Sequence, residues 1–353
     1  MRYPEAKGFK AILERAESCL ESDSPFVMYR KPSETAIVGV FQSSDTLHTS
    51  KDFTEKGFVF APFNSEEKVV LIQPDEVWEG KHQLEQSQAE NDITLDESGK
   101  EVHIELVKSG IKEIEKGRLQ KVVLSRKIQV SITKSPIKIF ETLLDKYPNA
   151  FGYFFYHPKV GTWCGATPET LVKVKGNKLQ TMSLAATLPY IENENPKWGA
   201  KEIEEQQMVS EYIGDKLAHT MERLEVDEAE SIKAGKLWHL RSEVRGIMLP
   251  NLKVNEVIRA LHPTPAVCGI PTGEAQKFIQ LNENYKRKFY TGFLGELNLR
   301  FQGELSLYVN LRCMELEEDK ASIFVGGGIT EASDPESEWL ETQNKSKTML
   351  GIL

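Results

Sequence analysis

The amino-acid sequence predicts an α+β fold. Three observations carry that expectation. Short runs rich in Val, Ile and Phe recur along the chain, and few long segments carry a helical apolar stripe. The two kinds of segment also do not alternate as the βαβ units of a doubly wound sheet would require. With 353 residues, 40% hydrophobic and 27% charged, the chain has ordinary globular composition and ample length for a large core.

Taken in order, Ala36–Val40, Gly57–Ala61 and Val69–Ile72 read as strands separated by polar turns. Residues 84–100 are polar and acidic and read as a connecting loop. Ile104, Val107, Ile111 and Ile114 share one face of a helix that Gly117 is placed to stop. Residues 121–130 form a strand headed by Lys121. Phe151 to Cys164 alternates aromatic and small residues and is again strand-like, and 191–199 is a loop. A long helix is expected from near Ala200 to about Leu224, with Val209, Ile213, Leu217 and Leu224 as its core stripe. Residues 304–312 and 320–325 read as strands. The last helix is expected to start at Ser333, which has capping-box spacing to Glu336, with Asp334 favouring the positive end of the helix dipole.

The net charge of −9 argues against sequence-independent nucleic-acid binding, which needs a basic face. It permits a small anionic substrate, because a local cluster of cations overrides the global field. Cys19, Cys164, Cys268 and Cys313 are far apart and form no CxxC pair, so reduced thiols in a cytoplasmic protein are expected. The N-terminal run lacks the apolar core of a secretory signal, and no apolar run reaches the length of a membrane span.

Candidate chemistry begins at Lys121. Apolar neighbours on its strand can strip water from the ammonium and lower its pKa from about 10.4, toward a general base near neutrality. The plain alternative is a strand-edge lysine with its head in water. Glu338, Glu341 and Lys345 share one face of the last helix, and Glu202 and Glu205 one face of an earlier helix. Two such carboxylate pairs could build an all-oxygen Mg²⁺ site, or they could be two solvated acidic faces. Gly326-Gly327-Gly328 could expose backbone N–H groups to a carboxylate, or form a flexible turn. His262, a loop histidine held by the two prolines Pro263 and Pro265, could donate to a substrate hydroxyl or hydrogen-bond a turn. Arg312, on a strand, is a candidate carboxylate clamp or a structural ion pair.

Together these motifs resemble the chorismate-utilising enzymes. Lys121-Val122-Val123-Leu124-Ser125-Arg126, Gly165-Ala166-Thr167-Pro168-Glu169, Leu261-His262-Pro263-Thr264-Pro265-Ala266, Gly326–Ile329 and Glu338–Lys345 stand in that family's order and approximate spacing. Within the family the chain is similar to the isochorismate synthases. The resemblance implies one domain, 1–353, of two stacked antiparallel sheets with helices outside, as in anthranilate synthase component I. Residues 1–96 would be the N-terminal part of the sandwich and 97–353 the catalytic core.

It further implies that Lys121 activates a water to attack C2 of chorismate, while Glu169 protonates the departing C4 hydroxyl from the opposite side. Glu205 and Glu341 would be direct Mg²⁺ ligands, with Glu338 and Glu202 in the water-mediated shell, the metal holding the ring carboxylate. Arg312, Tyr290 and the amides of Gly326 and Gly328 would receive the enolpyruvyl carboxylate. Lys345 would help hold the ring carboxylate, and His262 and Thr187 would contact substrate. A hydroxyl leaves only if protonated as its bond breaks, so Glu169 needs a raised pKa where Lys121 needs a lowered one.

Anthranilate synthases resemble this chain but carry glutamine where Lys121 stands and usually work with a glutaminase, so no glutaminase subunit is expected. Aminodeoxychorismate synthases carry a nucleophilic lysine where this chain has Ala185, in Ser183-Leu184-Ala185-Ala186-Thr187. Ala186 replaces the usual glycine, and no arginine follows Thr187. Salicylate synthase, which goes on to eliminate pyruvate, stays open as an alternative, as does a non-catalytic chorismate-binding module. Isochorismate would feed menaquinone or a catechol siderophore.

Overall fold

The computed structural model describes residues 4–83 and 95–353. In chain order the elements are β1 (Glu5–Ala6), α1 (Phe9–Glu21), β2 (Phe26–Arg30), β3 (Ala36–Phe41), β4 (His48–Ser50), β5 (Gly57–Ala61), β6 (Val69–Ile72), β7 (Glu76–Lys81), α2 (Lys100–Glu115), β8 (Lys121–Ser131), α3 (Pro136–Lys146), β9 (Phe151–His157), β10 (Gly161–Thr167), β11 (Thr170–Lys175) and β12 (Lys178–Pro189). There follow α4 (Ala200–Ala218), β13 (Met221–Val226), β14 (Glu230–Ala234), β15 (Leu237–Met248), α5 (Val254–Leu261), β16 (Gly269–Ile270), α6 (Thr272–Asn282), β17 (Phe293–Leu297), β18 (Glu304–Val309), β19 (Cys313–Leu316), β20 (Lys320–Ile329) and α7 (Pro335–Leu350).

The strands form two ten-stranded sheets. The first runs β1-β7-β3-β2-β9-β10-β19-β20-β8-β16; the second runs β13-β15-β12-β11-β18-β17-β5-β6-β4, with β14 also paired to β15. All pairings are antiparallel except the short β1–β7 edge, which is parallel. Apolar side chains of both sheets, among them Val27, Tyr29 and Phe155 from one and Phe58, Phe60 and Leu294 from the other, share one core, so the sheets stack face to face. Helices α1 and α3 cover the outer face of the first sheet, α4 and α5 that of the second. Helices α2 and α6 pack against β8 and β16. The N-terminal strands enter both sheets, β2 and β3 the first and β5 and β6 the second.

Several expected boundaries shift. Part of the loop expected at 84–100 lies outside the described residues, and α2 has begun by Lys100. The helix expected to reach Leu224 ends at Ala218. There the Thr220 N–H and hydroxyl both donate to the Leu217 carbonyl, and Leu224 sits in β13, paired with Gly246 of β15. Long-range ladder pairing overrides the local helical stripe. The 151–164 segment is a hairpin of two strands that turns between His157 and Gly161. The 304–312 strand stops at Val309, and Arg312 lies in the corner before β19 with a left-handed φ of 47°. The strand expected at 320–325 continues to Ile329, so the triglycine lies in a strand and not in a turn. In α7 the N-cap is Asp334, whose side chain accepts from the Ser337 N–H, while Ser333 Oγ accepts from the Thr330 N–H.

Candidate active site

The site forms where β8 and β20 run side by side under α4 and α7. Gly326, Gly327 and Gly328 pair with Ser125, Leu124 and Val123. Strand β19 stops opposite Phe324, so beyond that residue β20 has a ladder partner on the β8 side only. Alternate N–H and C=O groups of the triglycine run therefore face an open side, as an anion-binding edge requires.

The glycines are needed because side chains lie across this edge. A Cβ on Gly328 would stand 2.3 Å from Glu205 Oε1 and 3.0 Å from Lys121 Cε; one on Gly327 would stand 3.1 Å from Glu338 Oε2. The Gly328→Ala variant is expected to fold with little change in melting temperature, because the obstructing atoms are ends of flexible side chains. Displacing the lysine–glutamate pair by about 1 Å should lower turnover on the order of 100-fold. Steady-state kinetics beside a thermal melt checks this, and unchanged turnover would remove the triglycine's role as a floor for these groups.

Lys121 heads β8 fully buried, its Nζ 2.9 Å from Glu205 Oε1 without an aligned hydrogen bond. Glu169 occupies the corner between β10 and β11 and is also buried. Burial pushes its carboxyl up to about 8, against the opposing pull of Lys121 and Lys345. The expected base and acid are thus electrostatic neighbours, and Glu169 is held neutral near pH 7.

Three carboxylates converge on the same edge, each paired with a lysine. Besides Lys121–Glu205, Lys345 Nζ lies 2.5 Å from Glu341 Oε1 and Lys201 Nζ 2.5 Å from Glu338 Oε1. Lys345 also donates to the Gly326 carbonyl at 2.9 Å. Burial, then the neighbouring Glu341, holds the Glu338 carboxyl above its ordinary range, and its Oε2 is buried without a hydrogen-bond partner. Among the described residues no three acid, His or Cys groups close into a formed metal centre. The donor set nevertheless fits Mg²⁺: hard carboxylate oxygens, one of them unpartnered, on two facing helices. Glu202 departs from expectation. Its Oε2 accepts the Gly199 N–H at 2.9 Å and caps α4 instead of joining these carboxylates.

The other wall is cationic and aromatic. Tyr290 stacks on Phe324 with ring centroids 5.5 Å apart. Arg312 donates to Thr348 Oγ1 at 3.2 Å and has no ion-pair partner among the described residues, which leaves its fork for an anion. Glu169, Glu205, Thr187, Tyr290, Arg312, Gly326, Gly328, Glu341 and Lys345 line one cavity of about 70 Å³. Thr187 is there because β12 bulges against β15 between Ala185 and Leu188, and Ala186 takes a left-handed φ of 63°. The usual glycine at that position would adopt it without strain.

His262 does not join this cavity. Its Nε2 lies 3.2 Å from the Pro62 carbonyl, its ring packs on Phe293, and burial pushes its pKa down to about 4. The imidazole that does line the cavity is His239 on β15, which sequence reasoning missed. Its Nδ1 lies 3.0 Å from the Ala186 carbonyl and 3.4 Å from Thr187 Oγ1, and its Nε2 lies 3.5 Å from the Arg312 guanidinium. Burial, then Arg312, pushes it down to about 3, so it is neutral. Donation from Nδ1–H to the carbonyl leaves Nε2 as the acceptor facing Arg312. Within its own strand His239 is one polar residue among alternating ones; only the β12–β15 pairing places it against Ala186.

The family model for chorismate binding enzymes matches residues 63–353. Isochorismate synthase DhbC of Bacillus subtilis (strain 168) is 32% identical over 319 residues, covering 82% of this chain and 78% of that protein. The solved structure of DhbC from Bacillus anthracis superposes with a TM-score of 0.81 at 27% identity, covering 96% of this chain and 99% of that one. Anthranilate synthase component I from Streptococcus pneumoniae TIGR4 shares the fold, with a TM-score of 0.67 at 20% identity over 92% of this chain and 90% of that one. With the match spanning most of its length, the chain belongs to the chorismate-binding enzyme family.

Proposed function

We propose that the protein is an isochorismate synthase. The observation that carries this reading is the buried carboxyl of Glu169, held neutral on the cavity wall within electrostatic reach of the buried side chain of Lys121. The reaction moves a hydroxyl. Water adds at C2 of the ring and loses a proton, the diene shifts, and the C4 hydroxyl departs as water after taking a proton. Lys121 would take the first proton and Glu169 would give the second. Arg312, Tyr290 and the open edge of the triglycine receive the enolpyruvyl carboxylate, and His239 joins Thr187 as a polar contact to the ring substituents.

Glu205 and Glu341 would hold Mg²⁺ directly and Glu338 through water, and the ion would supply positive charge to the ring carboxylate. Water as nucleophile removes any need for a glutaminase partner. No helix among the described residues is long and apolar enough to cross a membrane, which suits a cytoplasmic enzyme feeding menaquinone or siderophore synthesis.

The test is to incubate the protein with chorismate, with and without Mg²⁺, and to identify the products. Isochorismate alone, dependent on Mg²⁺ and abolished by a chelator, is the expected result. Pyruvate with salicylate would replace the reading with salicylate synthase. Binding without turnover would leave a non-catalytic chorismate-binding module.

A further inference from the structure

Behind the cavity lies a buried ion pair that takes no part in the chemistry above. Arg287 and Glu283 have side chains 2% and 1% exposed. The guanidinium spends all five of its N–H groups. Nε and Nη2 donate to the two carboxylate oxygens of Glu283, at 2.8 and 2.6 Å. Nη1 donates to the Val267 carbonyl at 2.9 Å and to Thr291 Oγ1 at 3.2 Å, and Nη2 also donates to the Val123 carbonyl at 2.7 Å. Glu283 Oε1 in turn accepts the N–H and the hydroxyl of Ser125, at 2.8 and 2.7 Å. Val123, Val267 and Thr291 all line the candidate active site, and Val123 and Ser125 flank the partner of the central glycine of β20.

A buried ion pair is a poor source of stability compared with apolar residues of the same volume, because both charges are desolvated. An apolar pair could fill this space, but it could not hold three separate chain segments by their polar groups. We propose that Arg287 and Glu283 are positioning residues, which fix the Lys121 strand against the Val267 wall and the Tyr290–Thr291 corner. They touch no reacting atom; they set the distance between the base and the ring it serves. The activity readout rests on the isochorismate synthase reading, but the geometric claim does not.

The experiment compares Arg287→Lys and Glu283→Gln with the unaltered protein. Lysine keeps the charge but has three donors and cannot serve both carbonyls. Glutamine keeps the shape but turns a donor toward Arg287. Each variant should fold cooperatively and lose about 100-fold in kcat, with KM within about threefold, measured below the melting range. Hydrogen exchange should quicken at least about tenfold in segments 121–126 and 264–268 and stay unchanged in β2 and β3. A lowered melting temperature with unchanged kcat and unchanged exchange in those two segments would reduce the pair to a structural role and overturn the proposal. Should both variants fail to fold, Ser125→Ala removes the hydroxyl's contacts to Glu283 and Tyr285 but keeps the Ser125 N–H bond to Glu283, and its kcat and exchange decide in the same way. If the unaltered protein does not turn over chorismate, the functional reading fails, and the exchange measurement still judges the clamp.

Discussion

Replacing Lys121 with alanine will lower chorismate turnover by about 10²–10⁴-fold while leaving chorismate binding measurable, because the change removes a proton acceptor and no anchoring group. The lysine is fully buried, and among the described residues its nitrogen meets only Glu205 at ion-pair distance. The groups proposed to grip the substrate, Arg312, Tyr290 and Lys345, stand on other elements and keep their own contacts. The variant leaves Glu205 without its lysine, so a modest fall in stability is expected as well. Single-turnover kinetics with calorimetric binding separates these effects. Wild-type turnover in the folded variant would remove Lys121 as the base.

The second large effect belongs to Glu169 and is read through pH. A general acid must be protonated to act, and burial holds this carboxyl up to about 8. Turnover should therefore hold through neutrality and fall as pH rises past about 8. Glu169→Gln should abolish turnover at every pH, again by about 10²–10⁴-fold. Stability gives an independent readout. In the unfolded chain this glutamate loses its proton near pH 4.3. Between there and about 8 the folded protein binds the extra proton, so stability falls with rising pH across that window and levels off above it. Glutamine does not titrate. The variant should gain stability relative to the unaltered protein as pH rises from 5 to 9, as denaturant titrations at the two pH values would report. A constant difference between those pH values would mean that the carboxyl is not held neutral by burial.

How much of the site was legible in advance depended on whether a residue's role is set locally. Lys121 could be singled out because a lysine heading a Val- and Leu-rich strand is a local contradiction, and burial resolves it as expected. Glu205, Glu338 and Glu341 could be paired because helical spacing puts such residues on one face, and the helices do bring those faces together. Glu202 obeyed the same spacing and went elsewhere, since a first-turn glutamate can cap its own helix and the local hydrogen bond won. His262 was legible as a constrained loop histidine, but the carbonyl it meets belongs to Pro62, 200 positions away.

The sequence by itself determined the α+β class, eight of the twenty described strands, the base candidate and the carboxylate-bearing faces, because periodicity and residue chemistry act over a few neighbours, while Glu169 came from the family resemblance. Only the tertiary structure decided that the triglycine is the open edge of a strand, that His239 and not His262 faces the cavity, and that Arg287 ties the Lys121 strand to the Val267 segment. Each of these follows from which distant strand lies alongside, and ladder register between residues far apart in the chain leaves no trace in local pattern.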